Sequence, residues 1–407
     1  MEQIVTDIAW LIPSLIEGSG GHRTILHHAS SLEQKGYSCH IYLEGSGSPS
    51  KASKIVERQF GYKFKSVRYG WSAIDPADIV IATIWYSAII VRDLPFDCIR
   101  CYFVQDYEAI FNPVGDSYIL AENSYRYGLV PITIGRWLKQ ELGKRFQIPA
   151  YHFNFGADNK IYRVLSGHRR EQAVCFIYQP DKPRRCSRIG IAALGLVKYY
   201  RPDVTIYLYG SLQSEKSDIW FEHRHLGLLN LEACNNLYNR CAVGLCLSSS
   251  NPSRIPFEMM AAGLPVVELW RENNLYDFPP EAVSLSDQTP ESLAEAILQL
   301  LNSSEERDRM SRAGVAYMAS HTLQSETDAF ANIMFSLQSK RFPILEILSP
   351  LYNKPPVVAV TKYKTLPEAI RNRIYQPINT RLNNLPQPVR KILRWGYLKA
   401  SKALIVK

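Results

Sequence analysis

The stretch "LCLSSSNPSRIPFEMMAAGLPVVEL", Leu245–Leu269, decides the fold. It opens as an apolar run of strand length and turns abruptly polar. After Pro252 and Pro256 it resumes with helical spacing, then a Gly-Leu-Pro turn leads into a second apolar run. Strand, polar loop, helix, turn and strand make one βαβ unit, and such units build parallel sheets. In open α/β sheets ligands sit at the carboxyl ends of strands, where a following helix offers free N–H groups. Ser253 is expected to cap this helix, and Pro256 suits its first turn. Glu258 lies one turn in, where a carboxylate can reach a ribose hydroxyl; the helix dipole alone also favours an acid there.

Working outward, apolar runs alternate with helical stretches twice over. The first series runs from "DIAWLIPSL" through "ADIVIATIW", "RCYFVQDYE" and "LVPITIG" to a helix ending near Phe146. The second runs from "AVCFIYQ" through a helix at Ser187–Tyr200, "VTIYLYG" and the opening stretch to a helix at Pro290–Leu301. The fold class is therefore α/β, with two facing Rossmann-like domains and a cleft between them as the expected site. The domains are expected at 1–155 and 156–335. A proline-rich basic tail follows at 336–407, containing Pro343, Pro350, Pro355, Pro356, Pro367, Pro377, Pro386 and Pro388.

Composition excludes several classes. No apolar run approaches the ~18 residues of a membrane span. The N-terminus is acidic ahead of its apolar run and reads as a buried strand rather than a signal peptide, so the cytoplasm is expected. The eight cysteines are scattered, and Cys98 and Cys101 lack a second pair at zinc spacing, so structural cysteines are expected. The formal net charge is +9, concentrated at the end: nine Lys or Arg and no acid lie between Arg371 and Lys407. There Arg390, Lys391, Arg394 and Lys402 oppose an apolar face of Val389, Ile392, Leu393 and Tyr397. Such a basic amphipathic helix either lies on an anionic membrane surface, on the inner face of the cytoplasmic membrane, or packs on the protein with its basic face in water. No nucleic-acid-binding module accompanies the charge, so a nucleic-acid partner is not expected.

Three loops carry the candidate chemistry. "GSGGHRTI", Gly18–Ile25, places Gly20 and Gly21 at a helix start where backbone can approach a phosphate or sugar. It lacks the third glycine of the dinucleotide fingerprint, where Thr24 stands. "YQPDKPRRC", Tyr178–Cys186, places Arg184 and Arg185 at a strand end, and two adjacent guanidinium forks suit a diphosphate. "VQDYE" places Asp106 and Glu108 at the cleft, as a base or a substrate contact, although Asp106 could equally cap a helix. His22 and Trp85 are weaker candidates, for phosphate binding and for sugar stacking.

"FEMMAAGLPVVEL" resembles the segment of retaining family-four GT-B glycosyltransferases that carries a Glu-x7-Glu signature. The resemblance implies that Glu258 holds the nucleotide ribose. The earlier glutamate, which contacts the donor sugar in that family, is replaced by Ser250 here. The order Ser-x-x-Asn-Pro-Ser-x-x-Pro-x-Glu is similar to bacterial rhamnosyltransferases of surface-polysaccharide assembly, as is "YFVQDYEAIFNPVGDSYILAENSYRYGLVPITIGRWL". "FNFGADNKIYR" resembles the interdomain link and "IYQPDKPRR" the phosphate loop. The resemblance spans about Ile8–Phe335 and excludes the tail.

What it implies is a GT-B enzyme that moves a sugar, rhamnose from dTDP-L-rhamnose by analogy, to a glycan or lipid-linked acceptor. Arg184, Arg185, Ser250, Asn251, Ser253, Glu258 and the Gly20–Gly21 loop would bind the donor. No Asp-x-Asp occurs anywhere in the chain, so a metal-independent mechanism without a cofactor is expected. In the same-face displacement that the resemblance implies, the leaving phosphate takes the acceptor proton, and Asp106 only positions substrate. The loss of the first signature glutamate leaves a second reading, a non-catalytic GT-B scaffold in a polysaccharide assembly complex.

Overall fold

Seven strands form the first sheet: β1 (Asp7–Ile12), β2 (Ser38–Leu43), β3 (Ser66–Tyr69), β4 (Ile79–Ala82), β5 (Ile99–Val104), β6 (Val130–Ile134) and β7 (Tyr151–Phe153). Their order is β3-β2-β1-β4-β5-β6-β7. Six more, β8 (Ala173–Ile177), β9 (Thr205–Tyr209), β10 (Arg224–His225), β11 (Val243–Leu245), β12 (Val266–Leu269) and β13 (Val283–Ser286), run β10-β9-β8-β11-β12-β13. All their ladders are parallel. The computed structural model describes residues 5–167, 170–212, 219–359 and 366–375.

Helices cover both faces of each sheet, so the central strands read as unbroken apolar runs: every residue of β4 and β8 is buried. The first domain carries α1 (Gly20–Gln34), α2 (Pro49–Phe60), α3 (Trp85–Arg92), α4 (Asp116–Ser124) and α5 (Arg136–Phe146). The second carries α6 (Ser187–Tyr200), α7 (Leu231–Arg240), α8 (Ile255–Ala261), α9 (Glu272–Leu275), α10 (Pro290–Asn302) and α11 (Ser304–Ser320). Close packing sets α6 on its sheet: a Cβ on Gly190 would lie 2.3 Å from the Phe176 ring. That approach fixes the start of α6, and with it the loop carrying Arg184 and Arg185.

The chain then returns to the first domain. α12 (Leu323–Gln338) packs on α1 and β7. Its Phe330 is fully buried, with its ring 4.5 Å from His28 and 5.8 Å from Trp10. The expected boundary at 335/336 therefore needs correction, because the helix ending the second series is built into the first domain's core. The expected tail is corrected as well. Compact unit one runs from Met1 to Val358, and unit two from Ala359 to Lys407. Residues 341–357 are an extended strap across both domains. Leu348 N–H donates to Gln140 of α5 at 2.6 Å, and Lys139 pairs with Glu346 at 2.6 Å. Farther along, Leu351 and Tyr352 N–H donate to the Leu275 carbonyl, and Val357 N–H to that of Leu285. Pro343, Pro350, Pro355 and Pro356 hold this segment extended, so its donors go to neighbouring elements instead of a helix of its own.

In the second unit, α13 (Glu368–Tyr375) is described. The expected basic amphipathic helix at 389–404 lies outside the described residues. No described helix is long and apolar enough to cross a membrane.

Candidate functional site

Both sheets reverse strand order, between β1 and β4 in the first and between β8 and β11 in the second. Two loops meet at the second switch point. The loop after β8 makes a short 3-10 turn at Pro183–Arg185 and enters α6 through Cys186, which takes a left-handed φ of 49°. The loop after β11 runs through Ser248–Arg254 into α8. They are tied together: Ser249 donates its N–H and its hydroxyl to the Arg184 carbonyl, at 2.9 and 3.3 Å.

The arginines are short of partners. Nε of Arg184, and Nε and Nη1 of Arg185, are buried without a hydrogen bond among the described residues. The Ser187 hydroxyl at the start of α6 is in the same state. Arg184 stands 3.8 Å from the Asp106 carboxylate and lies 4.6 Å over the Phe111 ring. Burial and the neighbouring Arg185 pull its pKa down. Unsatisfied buried donors of this kind are costly and call for an acceptor. A multiply charged anion is the acceptor that fits two guanidinium groups and a helix start.

Glu258 sits in the first turn of α8. Burial pushes its carboxyl up to about 7, against the pull of Arg254, Tyr162 and Arg23. The helix begins one residue later than expected: Arg254 occupies the cap position without a side-chain cap, and Ser253 Oγ accepts from Ile255 N–H at 3.4 Å.

On the facing domain, α1 opens at Gly20 with Ser19 as its cap. A Cβ on Gly21 would lie 3.6 Å from the Gln105 amide, so Gly20 and Gly21 do stand beside the loop after β5. Asp106 ends as an interdomain clasp. Its Oδ2 accepts from the Ser250 hydroxyl and its Oδ1 from the Asn251 N–H, both at 2.9 Å. Asn251 Nδ2 donates to the carbonyls of Gln105 and Ile134, each at 3.0 Å. Burial raises the Asp106 pKa, opposed by Arg184 and these donors. Both oxygens are thus engaged by protein, which is the arrangement of a closing contact rather than of a free base.

Glu108 is buried in a single 3-10 turn, Glu108–Phe111, and its Oε2 accepts the Trp85 N–H at 2.7 Å at the start of α3, so one carboxylate oxygen is already engaged by protein. Burial lifts its pKa to about 8. Ser250 is also not open to a ligand: it is fully buried, and its backbone carbonyl accepts from Asn273.

Several residues at the cleft were not singled out by sequence. Arg254 donates to Glu326 of α12 at 2.5 and 2.8 Å, to the Gly156 carbonyl at 2.6 Å and to Thr24 Oγ1 at 3.3 Å. Glu326 also meets His28 at 3.2 Å and accepts the Gly156 N–H at 2.7 Å. Burial pushes its carboxyl up, but Arg254 and His28 more than offset that and hold it near 2. Asp277, from the second domain, caps α5 of the first by accepting from Arg136 and Trp137 N–H at 2.7 and 3.2 Å. Three buried carboxylates therefore join the domains. Nothing in local sequence marks Asp277 and Glu326, because their partners lie 72 to 298 positions away by number; the Glu258 to Arg254 spacing was the one available signal for Arg254. Among the described residues, no cluster of three or more His, Cys, Asp or Glu is placed to hold a metal.

Comparison with known proteins bears on the fold. Residues 172–298 match the family described as WsaF, C-terminal domain. The O-antigen biosynthesis protein RfbC of Myxococcus xanthus is 28% identical over 262 residues, 63% of this chain. The match covers 20% of RfbC, so the chain spans about a fifth of the length of that relative. HepE of Anabaena, solved with UDP and glucose, superposes with a TM-score of 0.61 at 14% identity, covering 82% of this chain and all of HepE. TarM of S. aureus, solved with UDP among its ligands, gives a TM-score of 0.64 at 8% identity, over 81% of this chain and 99% of TarM. The chain has the GT-B fold, two facing Rossmann-like domains, as expected from its sequence.

Proposed function

We propose that the protein is a glycosyltransferase of polysaccharide assembly that takes its sugar from a nucleoside-diphospho-sugar. The observation that carries this is the set of buried nitrogens without a hydrogen bond on Arg184 and Arg185 at the switch point, where the loop leading into α8 and Glu258 also begins. A donor diphosphate satisfies the guanidinium groups while its ribose hydroxyl meets Glu258. HepE and TarM bind UDP in this fold, and RfbC is named for O-antigen biosynthesis, which supports the reading. The sugar is rhamnose, with dTDP as the carrier, by the resemblance of the Ser248–Glu258 segment and of the first-domain stretch that begins at Tyr102.

Transfer moves negative charge onto the leaving diphosphate. Arg184, Arg185 and the start of α6 stabilise that charge in a partly desolvated site, where fixed donors act most strongly. This gives a metal-independent route. The bond from the anomeric carbon to the phosphate oxygen breaks as the acceptor oxygen bonds to the same face, and the acceptor proton passes to the departing phosphate. Asp106 then needs no basic role. Its contact with Ser250 and Asn251 closes the domains over the donor.

The test is turnover with a panel of dTDP-, UDP- and GDP-sugars, read as release of nucleoside diphosphate, beside thermal shifts with the free nucleotides. A bound nucleotide at 100 times its Kd adds about 2.7 kcal/mol to stability. We expect a shift with one nucleotide class, lost in Arg185→Ala. Nucleotide binding without turnover of any sugar would support a non-catalytic scaffold instead, and no binding at all would end the glycosyltransferase reading.

A further inference from the structure

The chain crosses between the domains twice, and the two crossings are fastened to each other. The first leaves β7 after Phe153, and the second joins α11 to α12 through His321 and Thr322. Ala157 and Thr322 form an isolated parallel bridge: Ala157 N–H donates to the His321 carbonyl at 3.1 Å, and Leu323 N–H to the Ala157 carbonyl at 2.8 Å. A Cβ on Gly156 would lie 2.4 Å from the Thr322 carbonyl oxygen, so backbone meets backbone there.

Arg254 is tied to that point. Its guanidinium reaches the Gly156 carbonyl on the crossing, both oxygens of Glu326 on α12, and Thr24 on α1. A bidentate pair with a carboxylate fixes a guanidinium in direction as well as distance. Arg254 also stands at the head of α8, and Glu258 N–H donates to its carbonyl at 3.1 Å. Glu258 therefore lies one turn on, on the helix face that Arg254 occupies. In the order Ser-x-x-Asn-Pro-Ser-x-x-Pro-x-Glu, Arg254 falls on an unspecified position, so the resemblance assigns it no role.

The surroundings of Glu258 give this placement a chemical consequence. Arg254 of its own helix comes first among the groups that favour its charged form, ahead of Tyr162 on the crossing and Arg23 on α1. Cys234 and Tyr238 of α7, and Cys246 after β11, also feel its charge. Arg23 is exposed, so solvent and salt screen it more than they screen Arg254. Burial pushes the Glu258 carboxyl up to about 7, where a neighbouring cation decides which form is present at neutral pH. A ribose hydroxyl donates more strongly to a carboxylate than to a carboxylic acid.

We infer that Arg254 is a positioning residue of the donor site: it pins the first turn of α8 to the interdomain crossing and sets its cation beside Glu258, so that a carboxylate meets the ribose. This rests on the glycosyltransferase reading, in which Glu258 holds the donor.

The two partners of the Arg254–Glu326 pair separate this role from a structural one. Arg254→Gln and Glu326→Gln break the same pair, so a structural role alone moves nucleotide binding the same way in both. The positioning role makes them diverge. The probes are dTDP, UDP and GDP, titrated calorimetrically into the full chain, with the tightest binder followed from pH 5.5 to 9. The unmodified protein should show an affinity midpoint near 7. Arg254→Gln should raise it by at least about one unit, which at pH 7 is roughly fivefold weaker binding. Glu326→Gln should leave it in place or lower it, because Arg254 keeps its charge and loses its counter-charge. Arg254→Lys restores the charge without the planar fork, so its midpoint should return to within about half a unit while binding stays weaker at every pH. If Arg254→Gln leaves Glu326 too poorly paired for the chain to fold, the double variant Arg254→Gln, Glu326→Gln takes its place, with the same upward shift expected. An unmoved midpoint without Arg254, or an equal upward shift in Glu326→Gln, overturns the inference. No nucleotide binding in the unmodified protein, or binding indifferent to Glu258→Gln, refutes the donor-site reading instead, so the two failures are distinguishable.

Discussion

Replacing Glu326 with glutamine tests how the two domains are held. Glu326 has 1% of its side chain exposed and accepts from Arg254, His28 and the Gly156 N–H. Its carboxyl is held near 2 against an ordinary 4.5, a difference of about 3 kcal/mol in favour of the charged form. Glutamine keeps the shape but leaves the Arg254 cation without its counter-charge, and breaking a buried pair costs ~3–5 kcal/mol. For a protein of this size Glu326→Gln should therefore lower Tm by roughly 4–6 °C. The acid limb supplies an independent check. Because the folded pKa is depressed, this stability is fully present above the unfolded value of about 4.5 and is lost as pH falls from there toward 2. The unmodified protein should lose stability steeply across that window, and the variant less steeply. Differential scanning calorimetry at pH 7 and from pH 5 to 3 measures both. A change in Tm under 2 °C, or an identical acid slope in the variant, would refute the reasoning.

Three further outcomes follow from the same geometry. Nucleoside diphosphate affinity should fall as pH drops through about 7, where Glu258 protonates, and Glu258→Gln should bind more weakly with no such slope; calorimetric titration from pH 5.5 to 8 measures this. Gly135→Ala should cost at least about 2 kcal/mol in urea unfolding, because φ is +84° and a Cβ would lie 2.7 Å from Phe155. Asp106→Asn should keep the nucleotide thermal shift but widen the molecule in solution scattering, since it weakens the contacts to Ser250 and Asn251.

The legible parts of the fold were those where one local period sufficed. The opening stretch gave β11, α8 and β12 because its apolar runs, prolines and Gly-Leu-Pro turn all act within 25 residues. The same holds for α6, whose expected ends, Ser187 and Tyr200, match the structure. β3, β10 and β13 are two to four residues long, too short for a period to show. α11 is polar on most faces and was not anticipated. The domain boundary went astray at α12, whose buried face reads the same whichever domain it packs against. At the site, Arg184, Arg185 and Glu258 were legible as residue types at strand ends. Ser250 and Asn251 were named for the donor, yet the structure commits the Ser250 hydroxyl to Asp106 and the Asn251 amide nitrogen to the carbonyls of Gln105 and Ile134. That Glu108 holds the start of α3 through the Trp85 N–H was not legible, because that partner lies 23 residues away on another βα loop.

The most direct test of the central claim is a crystal structure of the protein with its cognate nucleoside diphosphate. The account predicts phosphate oxygens within ~3 Å of Arg184 and Arg185 side-chain nitrogens and a ribose hydroxyl on the Glu258 carboxylate. A diphosphate bound away from both arginines, or a ribose that does not reach Glu258, would contradict it.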